Sequence, residues 1–120
     1  MNINEILNVA TYAGKIMLES GAEAYRVEET INNISRAYGI DTPDSYATPT
    51  VIVSSANHED ELRSVVVRIK KRSVDLDKIH KVNDLSRNIL NENYSIKELK
   101  EKLKSIEDEV RYSRFLTILS

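Results

Sequence analysis

The chain has 120 residues, of which 41% are hydrophobic and 30% are charged, and its formal net charge is −2. This length suits one domain with a modest core, and the composition is typical of a globular protein rather than a disordered one. The near-neutral charge argues against nucleic acid as a partner, since no basic patch is present to contact phosphates. The absence of cysteine excludes disulfides, thiolate metal sites and a cysteine nucleophile.

The first forty residues are predicted to form a helical hairpin. Residues 3 to about 20 carry small and apolar side chains at spacings of three and four, with Ala10, Ala13 and Gly14 suited to the close approach of another helix. Gly21 is then predicted to form a corner, because glycine takes a positive φ without steric cost. A second helical stripe ends at Gly39. Its members are Ala24, Val27, Ile31, Ile34 and Tyr38.

The middle of the chain has the character of a small sheet. Pro43 and Pro49 punctuate a stretch that contains the β-branched run at residues 51–53. Residues 62–69 alternate between two faces, as expected for a strand with one buried face. Two or three short antiparallel strands are therefore predicted, with a hairpin turn around residues 57–60.

Two helices are predicted after the sheet. The first spans about residues 73–91, and the second follows Ser95 and Glu98, which have the spacing of a capping box. The predicted apolar stripes are Leu76, Ile79, Val82 and Ile89 in the first helix, and Ile96, Leu99, Leu103 and Ile106 in the second. The order predicts an α+β fold: an N-terminal helical hairpin, a small antiparallel sheet of two or three strands, and two C-terminal helices.

Residues 111–120 turn apolar at Phe115, Leu116, Ile118 and Leu119, just after Arg111 and Arg114, and this end is the most hydrophobic stretch of the chain. One interpretation is a last amphipathic turn that packs on the core. The other is the start of a membrane helix, with the two arginines on the cytoplasmic side. On the second interpretation, residues 1–110 are a soluble domain and residues 111–120 begin a membrane-proximal helix.

Conventional catalytic patterns are missing from the sequence. His58 lies among carboxylates at residues 59–61, but adjacent loop residues do not converge on one point, so a solvated hairpin tip is the favoured interpretation. His80 is the other histidine and is placed at the boundary of a helix stripe. Neither a glycine-rich phosphate loop nor a nucleophile elbow occurs. We therefore predict no catalytic residue, no metal site and no cofactor.

The most suggestive charges lie on the second helix. Glu23, Arg26 and Glu29, followed by Thr30, are three or four residues apart, so Arg26 can bridge carboxylates on either side. Glu28 is predicted to face elsewhere, toward Asn32 and Arg36. The cluster fits two hypotheses: a guanidinium and carboxylates that bind an amino acid ligand, or a surface row of ion pairs.

Three stretches together resemble the N-terminal domain of the threonine/serine exporter (ThrE-type) family, over roughly residues 5 to 90. The first, "LESGAEAYRVEETI", is the most specific, and the strand "TPTVIVS" and the later helix "DLDKIHKVNDLS" support it. The positions that carry the resemblance are Leu18, Ser20, Gly21, Ala22, Glu23, Arg26, Val27, Glu28, Glu29, Thr30, Thr48, Pro49, Thr50, Asp75, Leu76, Val82 and Leu85.

The resemblance implies a cytoplasmic domain that precedes a bundle of membrane helices in a cell (inner) membrane exporter. Members of the family export small hydrophilic solutes, namely threonine and serine, or dicarboxylates among split relatives. The chain itself contains no membrane span, so we expect a regulatory, assembly or substrate-handling part. By the same resemblance, Gly21 forms the corner, Arg26 is the bridging cation, and Glu28 and Glu29 contact a ligand or the membrane domain.

Two other hypotheses stay open at this point. One is a small hydrolase that acts on amino-acid derivatives, and the other is a non-catalytic oligomeric binding module. The expected partners are the membrane domain of the same or another chain, a small amino acid or dicarboxylate, and a second copy of the chain. Self-association is expected from an exposed small-residue stripe on the first helix and the apolar tail.

Overall fold

The computed structural model describes residues 2–119, with side chains described for residues 2–109. In chain order the elements are α1 (Ile3–Glu19), α2 (Ala24–Ala37), β1 (Pro43–Ala47), β2 (Val51–His58), β3 (Glu61–Arg68), α3 (Leu76–Glu92) and α4 (Ile96–Leu119). The predicted α+β fold is confirmed: a helical hairpin comes first, an antiparallel sheet of three strands lies in the middle, and two helices follow.

The strands lie in the order β1-β2-β3, and both neighbouring pairs are antiparallel. A two-residue turn joins β2 to β3, with Glu59 and Asp60 at φ values of 51° and 65°. Two positive φ values are typical of the type I′ turn, whose twist matches that of the strands. The turn between β1 and β2 contains Pro49, and the Thr48 hydroxyl accepts hydrogen bonds from the N–H groups of Thr50 and Val51 at 3.3 and 3.1 Å.

Helix α1 lies at the centre of the fold, in contact with α2, α3, α4 and strands β2 and β3. Its small residues Ala10 and Ala13 are completely buried. A Cβ at Gly14 would lie 2.5 Å from Ile31 Cδ1, so the glycine allows α2 to approach closely. The prediction that this stripe is exposed is therefore wrong, because it is buried within the same chain, with α2 packed against Gly14. The self-association of the chain stays a prediction.

Helix α3 begins after Asp75, whose side chain accepts a hydrogen bond from Lys78 N at 3.0 Å as an N-cap. Its buried side is formed by Ile79, Val82, Ser86 and Ile89. Leu76 was predicted to belong to this side but is 74% exposed. Successive residues of a helix are about 100° apart around its axis, and the centre of the buried stripe has the same angular position as Asp75. Leu76, the next residue, therefore points roughly 100° away from that centre.

Helix α4 begins with the predicted capping box. Ser95 N donates to Glu98 Oε1 at 3.2 Å, and Glu98 N donates to Ser95 Oγ at 3.1 Å. Leu99, Leu103 and Ile106 are buried against the rest of the core. The prediction of an apolar tail at residues 111–120 concerns side chains outside the described residues. Within the described part of the chain, none of the helices combines the length and the apolar character that crossing a bilayer requires.

Candidate functional site

The corner between α1 and α2 is tied to the segment that precedes α3. The last carbonyl groups of a helix have no partners within the helix and need them elsewhere. Here Ser73 N donates to Glu19 O at 2.7 Å, and Asp75 N donates to Ser20 O at 2.9 Å. The end of α1 and the segment before α3 therefore meet at one place, although they are more than fifty positions apart in the sequence.

Gly21 occupies the tightest point of this corner. Its φ is +98°, a conformation that side chains with a Cβ rarely adopt, and an added Cβ would lie 2.9 Å from Ser73 O. A short side chain at this position would both strain the backbone and push against the segment before α3. The corner thus needs glycine for conformation and for space.

Glu23, the N-cap residue of α2, is exposed, and so are Arg26 and Glu29 within the helix. Among the side chains that the structure describes, no carboxylate lies within 4.0 Å of the Arg26 guanidinium, so the bridges that the spacing allows are not formed. Thr30, the fourth member of the predicted row, is only 3% exposed and belongs to the interior. The three charged side chains are therefore exposed to solvent and form no ion pairs with one another.

Glu28 differs from its charged neighbours because it is half-buried and directed at the sheet. Its Oε2 accepts a hydrogen bond from Ala47 N at 2.9 Å. The single proton of the Ser45 hydroxyl is shared between two acceptors, Glu28 O at 3.2 Å and Asn32 Oδ1 at 3.0 Å. Glu28 was predicted to face Asn32 and Arg36, but its carboxylate contacts the backbone of β1, and no ion pair with Arg36 occurs among the described side chains. In this position the carboxylate joins α2 to β1.

Exposed apolar side chains flank the same corner. Tyr25, in the first turn of α2, is 61% exposed, and Val74, whose Cα lies 3.5 Å from the position of a Gly21 Cβ, is 78% exposed. Leu76 follows Asp75 at the start of α3 and is also exposed. We call Glu23, Tyr25, Arg26, Glu29, Val74 and Leu76 the corner surface. It combines unpaired charges with apolar side chains, a composition typical of protein contact surfaces.

A groove of about 520 Å³ lies between α1 and α4, a feature that the sequence analysis missed. Glu5, Asn8 and Tyr12 line it from α1, and Ile96, Lys97 and Lys100 from α4. The Tyr12 hydroxyl donates to Glu107 Oε1 at 3.0 Å. Burial is the main cause that raises the pKa of Tyr12, and the hydrogen bond to Glu107 is the second. The phenol therefore stays protonated and can donate. None of the predicted site residues lines this groove.

His80 is exposed, whereas His58, at the predicted hairpin tip, is half-buried. His58 Nε2 is 3.7 Å from Glu59 Oε1 at the tip of the β2–β3 hairpin. His80 Nε2 is 3.4 Å from Asp84 Oδ2, one helical turn away on α3. No group of three or more metal-ligating side chains occurs among the described residues.

Comparison with known proteins gives one match. A family model described as "Putative threonine/serine exporter" (ThrE) matches residues 8–120, which is nearly the whole chain. No curated protein and no solved structure matches the chain. Because the matched region includes the corner, the sheet and both C-terminal helices, the chain belongs to the threonine/serine exporter family.

Proposed function

We propose that the chain is the cytoplasmic domain of an exporter of small hydrophilic solutes, such as threonine, serine or related amino acids, or dicarboxylates. The family description supports a role in export. The apolar residues from Phe115 onward follow Arg111 and Arg114, and arginines next to an apolar segment favour the cytoplasmic side of a membrane. The exporter as a whole would lie in the cell (inner) membrane.

In this proposal the domain has a non-catalytic role in assembly, and it contacts the membrane-embedded part of the exporter, in the same chain or another, through the corner surface. The observation that carries this assignment is the exposure of Glu23, Arg26 and Glu29 beside Tyr25 and Val74. Charges that are unpaired on an isolated domain can pair when a partner covers them, and adjacent apolar side chains supply contact area. Arg26 can form two parallel hydrogen bonds with a carboxylate of such a partner.

An export assay on the full-length protein tests the proposed contact. Cells that express the exporter are loaded with threonine and serine, and efflux is compared for wild type, Arg26→Ala and Arg36→Ala. Arg36 is the matched control because it is an exposed arginine at the other end of α2. We expect Arg26→Ala to reduce efflux at least severalfold with normal amounts of protein in the membrane, and Arg36→Ala to have little effect. Equal efflux of all three proteins would contradict the assignment.

The proposed sidedness has a separate test. The 120 residues contain no cysteine, so Lys70→Cys introduces a reactive thiol at an exposed position after β3, and the exporter without this substitution is the control for any other thiol. A membrane-impermeant maleimide should label this thiol in inverted membrane vesicles and leave it unlabelled in intact cells. Labelling in intact cells would place the domain on the outer side and overturn the proposal.

A further inference from the structure

The two edges of the sheet are treated differently by the fold. On the β1 side, α2 covers the edge, and the outward N–H of Ala47 donates to the Glu28 carboxylate. On the β3 side, no strand of the described chain pairs with the outer edge. An edge strand presents unpaired N–H and C=O groups, which natural proteins usually cover or interrupt. The β3 edge is therefore the open one.

The hairpin geometry identifies which β3 residues present their backbone to this edge. In a hairpin with a two-residue loop, the residues that flank the loop, here His58 and Glu61, exchange hydrogen bonds. Along an antiparallel pair, hydrogen-bonded residue pairs alternate with pairs that are not hydrogen-bonded, so every second residue of β3 bonds to β2. The hydrogen bond from Ile69 N to Thr50 O at 2.8 Å fits this alternation. Odd-numbered residues therefore bond to β2. The outward N–H and C=O groups belong to Leu62, Ser64, Val66 and Arg68.

The same residues have exposed side chains. Leu62 is 63% exposed and Val66 is 65% exposed, and Ser64 and Arg68 are exposed as well. The eight-residue strand contains no proline that would prevent pairing along its edge. Both the backbone and the side chains of β3 are thus available to another strand.

We propose that β3 pairs with β3 of a second copy of the chain, antiparallel, about a two-fold axis at Ser64. The two sheets then form one continuous sheet of six strands. In this register Leu62 lies opposite Val66 of the second copy, and Asp60, at the end of the turn, approaches Arg68 of the second copy. Apolar side chains face apolar ones and opposite charges meet, which stabilises cross-strand pairs.

In the neighbouring registers Leu62 no longer lies opposite an apolar side chain. Moving the axis from Ser64 to Arg63, Val65 or Val66 would place Leu62 opposite Ser64, Arg68 or Lys70, respectively. Shifts that bring odd-numbered residues opposite even-numbered ones are excluded, because they would join the exposed face of one sheet to the buried face of the other. A contact through one strand is small, so we expect a weak dimer whose population depends on concentration.

Cysteine cross-linking of the 120-residue chain tests the register. In the proposed dimer the two Ser64 Cα atoms are about 5.5 Å apart, a distance that a disulfide spans. Ser64→Cys should therefore form a disulfide-linked dimer on mild oxidation. Val66→Cys alone should not, since its two copies would be four residues out of register, roughly 13 Å apart. An equal mixture of Leu62→Cys and Val66→Cys chains of different size should give the mixed dimer.

Ser55→Cys is the matched control, because Ser55 lies opposite Ser64 in the sheet but on the central strand β2. Stacking of two sheets face to face would link Ser55→Cys, whereas edge pairing would not. Linking of Ser64→Cys without Ser55→Cys supports the proposal. Linking of Ser55→Cys, or no linking of Ser64→Cys, overturns it.

Sedimentation measurements provide an independent test without cysteine. Ser64→Pro removes an N–H that points away from β2, so it deletes two bonds between copies and none within the sheet. We expect the wild-type chain to dimerise with rising concentration and Ser64→Pro to dimerise at least about tenfold more weakly, with a circular dichroism spectrum like that of wild type. A wild-type chain that stays monomeric at millimolar concentration overturns the proposal. If the proline variant misfolds, the cross-linking result decides.

Discussion

The Glu28 carboxylate accepts a hydrogen bond from the backbone N–H of Ala47 at 2.9 Å and so closes the outer edge of β1. A bond between a charged acceptor and a half-buried donor is worth more than an ordinary one, and its loss leaves the Ala47 N–H without this partner. We expect Glu28→Ala to lower the free energy of unfolding by about 1–3 kcal/mol. Urea denaturation measures this change directly.

Glu29 provides the control for this substitution. It has the same side chain at the next position of α2 but is exposed and makes no ion pair among the described residues. Glu29→Ala should change the free energy of unfolding by no more than about 0.5 kcal/mol. Equal effects of the two substitutions would show that the Ala47 contact contributes nothing measurable to stability.

Gly21 and Gly39 form a second matched pair. Both take positive φ values, 98° and 104°, so Gly39→Ala reports the cost of the backbone conformation, about 1–2 kcal/mol. Gly21→Ala adds a Cβ at 2.9 Å from Ser73 O, and we expect a larger loss, about 3 kcal/mol or more. Thermal unfolding of the two variants measures the difference. A Gly21→Ala loss no larger than that of Gly39→Ala would show that the segment before α3 yields without cost.

Features set by neighbouring residues could be predicted from the sequence. The capping box at Ser95, the turn between β2 and β3, the alternation in β3 and the helical stripes depend on contacts within a few positions, so their patterns are visible in a single chain. Leu76 is the exception. It lies at the edge of the predicted stripe of α3, and spacing alone does not show whether the rest of the protein covers a residue at such an edge.

Features set by tertiary packing could not be predicted. Spacing allowed Arg26 to pair with two glutamates, but exposed ion pairs gain little in water and the side chains do not adopt that arrangement. The groove beside Tyr12 joins residues about ninety positions apart. The small-residue stripe of α1 is buried because α2 packs beside it, which the pattern within α1 does not reveal. Glu28 accepts a bond from Ala47 only because β1 lies next to α2.

Glu98 gives the fold a predictable dependence on pH. Hydrogen bonds from Ser95, first from its backbone, lower the pKa of the Glu98 carboxyl below its ordinary value of 4.5. A lowered folded-state pKa stabilises the fold above the unfolded pKa, and this contribution is lost as the pH falls through the folded pKa. Stability from this group should therefore be complete at pH 7 and decline below about pH 4.5.

Glu98→Gln isolates the charge in this effect, because an amide oxygen can still accept the bond from Ser95 N. We expect the urea midpoint of the variant to be lower than that of wild type at pH 7, and the two midpoints to converge as the pH falls below the folded pKa. If the urea midpoints of the two proteins differ by the same amount at pH 7 and at a pH below the folded pKa, the charge of Glu98 is not the cause of the difference.

Calorimetric titration separates the two hypotheses for the charges on α2. A small solute binds tightly where groups are held in place before it arrives, whereas the guanidinium of Arg26 is exposed and no described carboxylate lies within 4.0 Å of it. Titration with threonine, serine and succinate should therefore give the same heats for wild type and for Arg26→Ala. Saturable binding that the substitution abolishes would make the corner a ligand site, and the assignment of Arg26 to a contact with the membrane domain would then fail. Binding that persists in the variant would instead direct attention to the groove beside Tyr12, where Glu5 and Lys100 offer both charges that an amino acid requires.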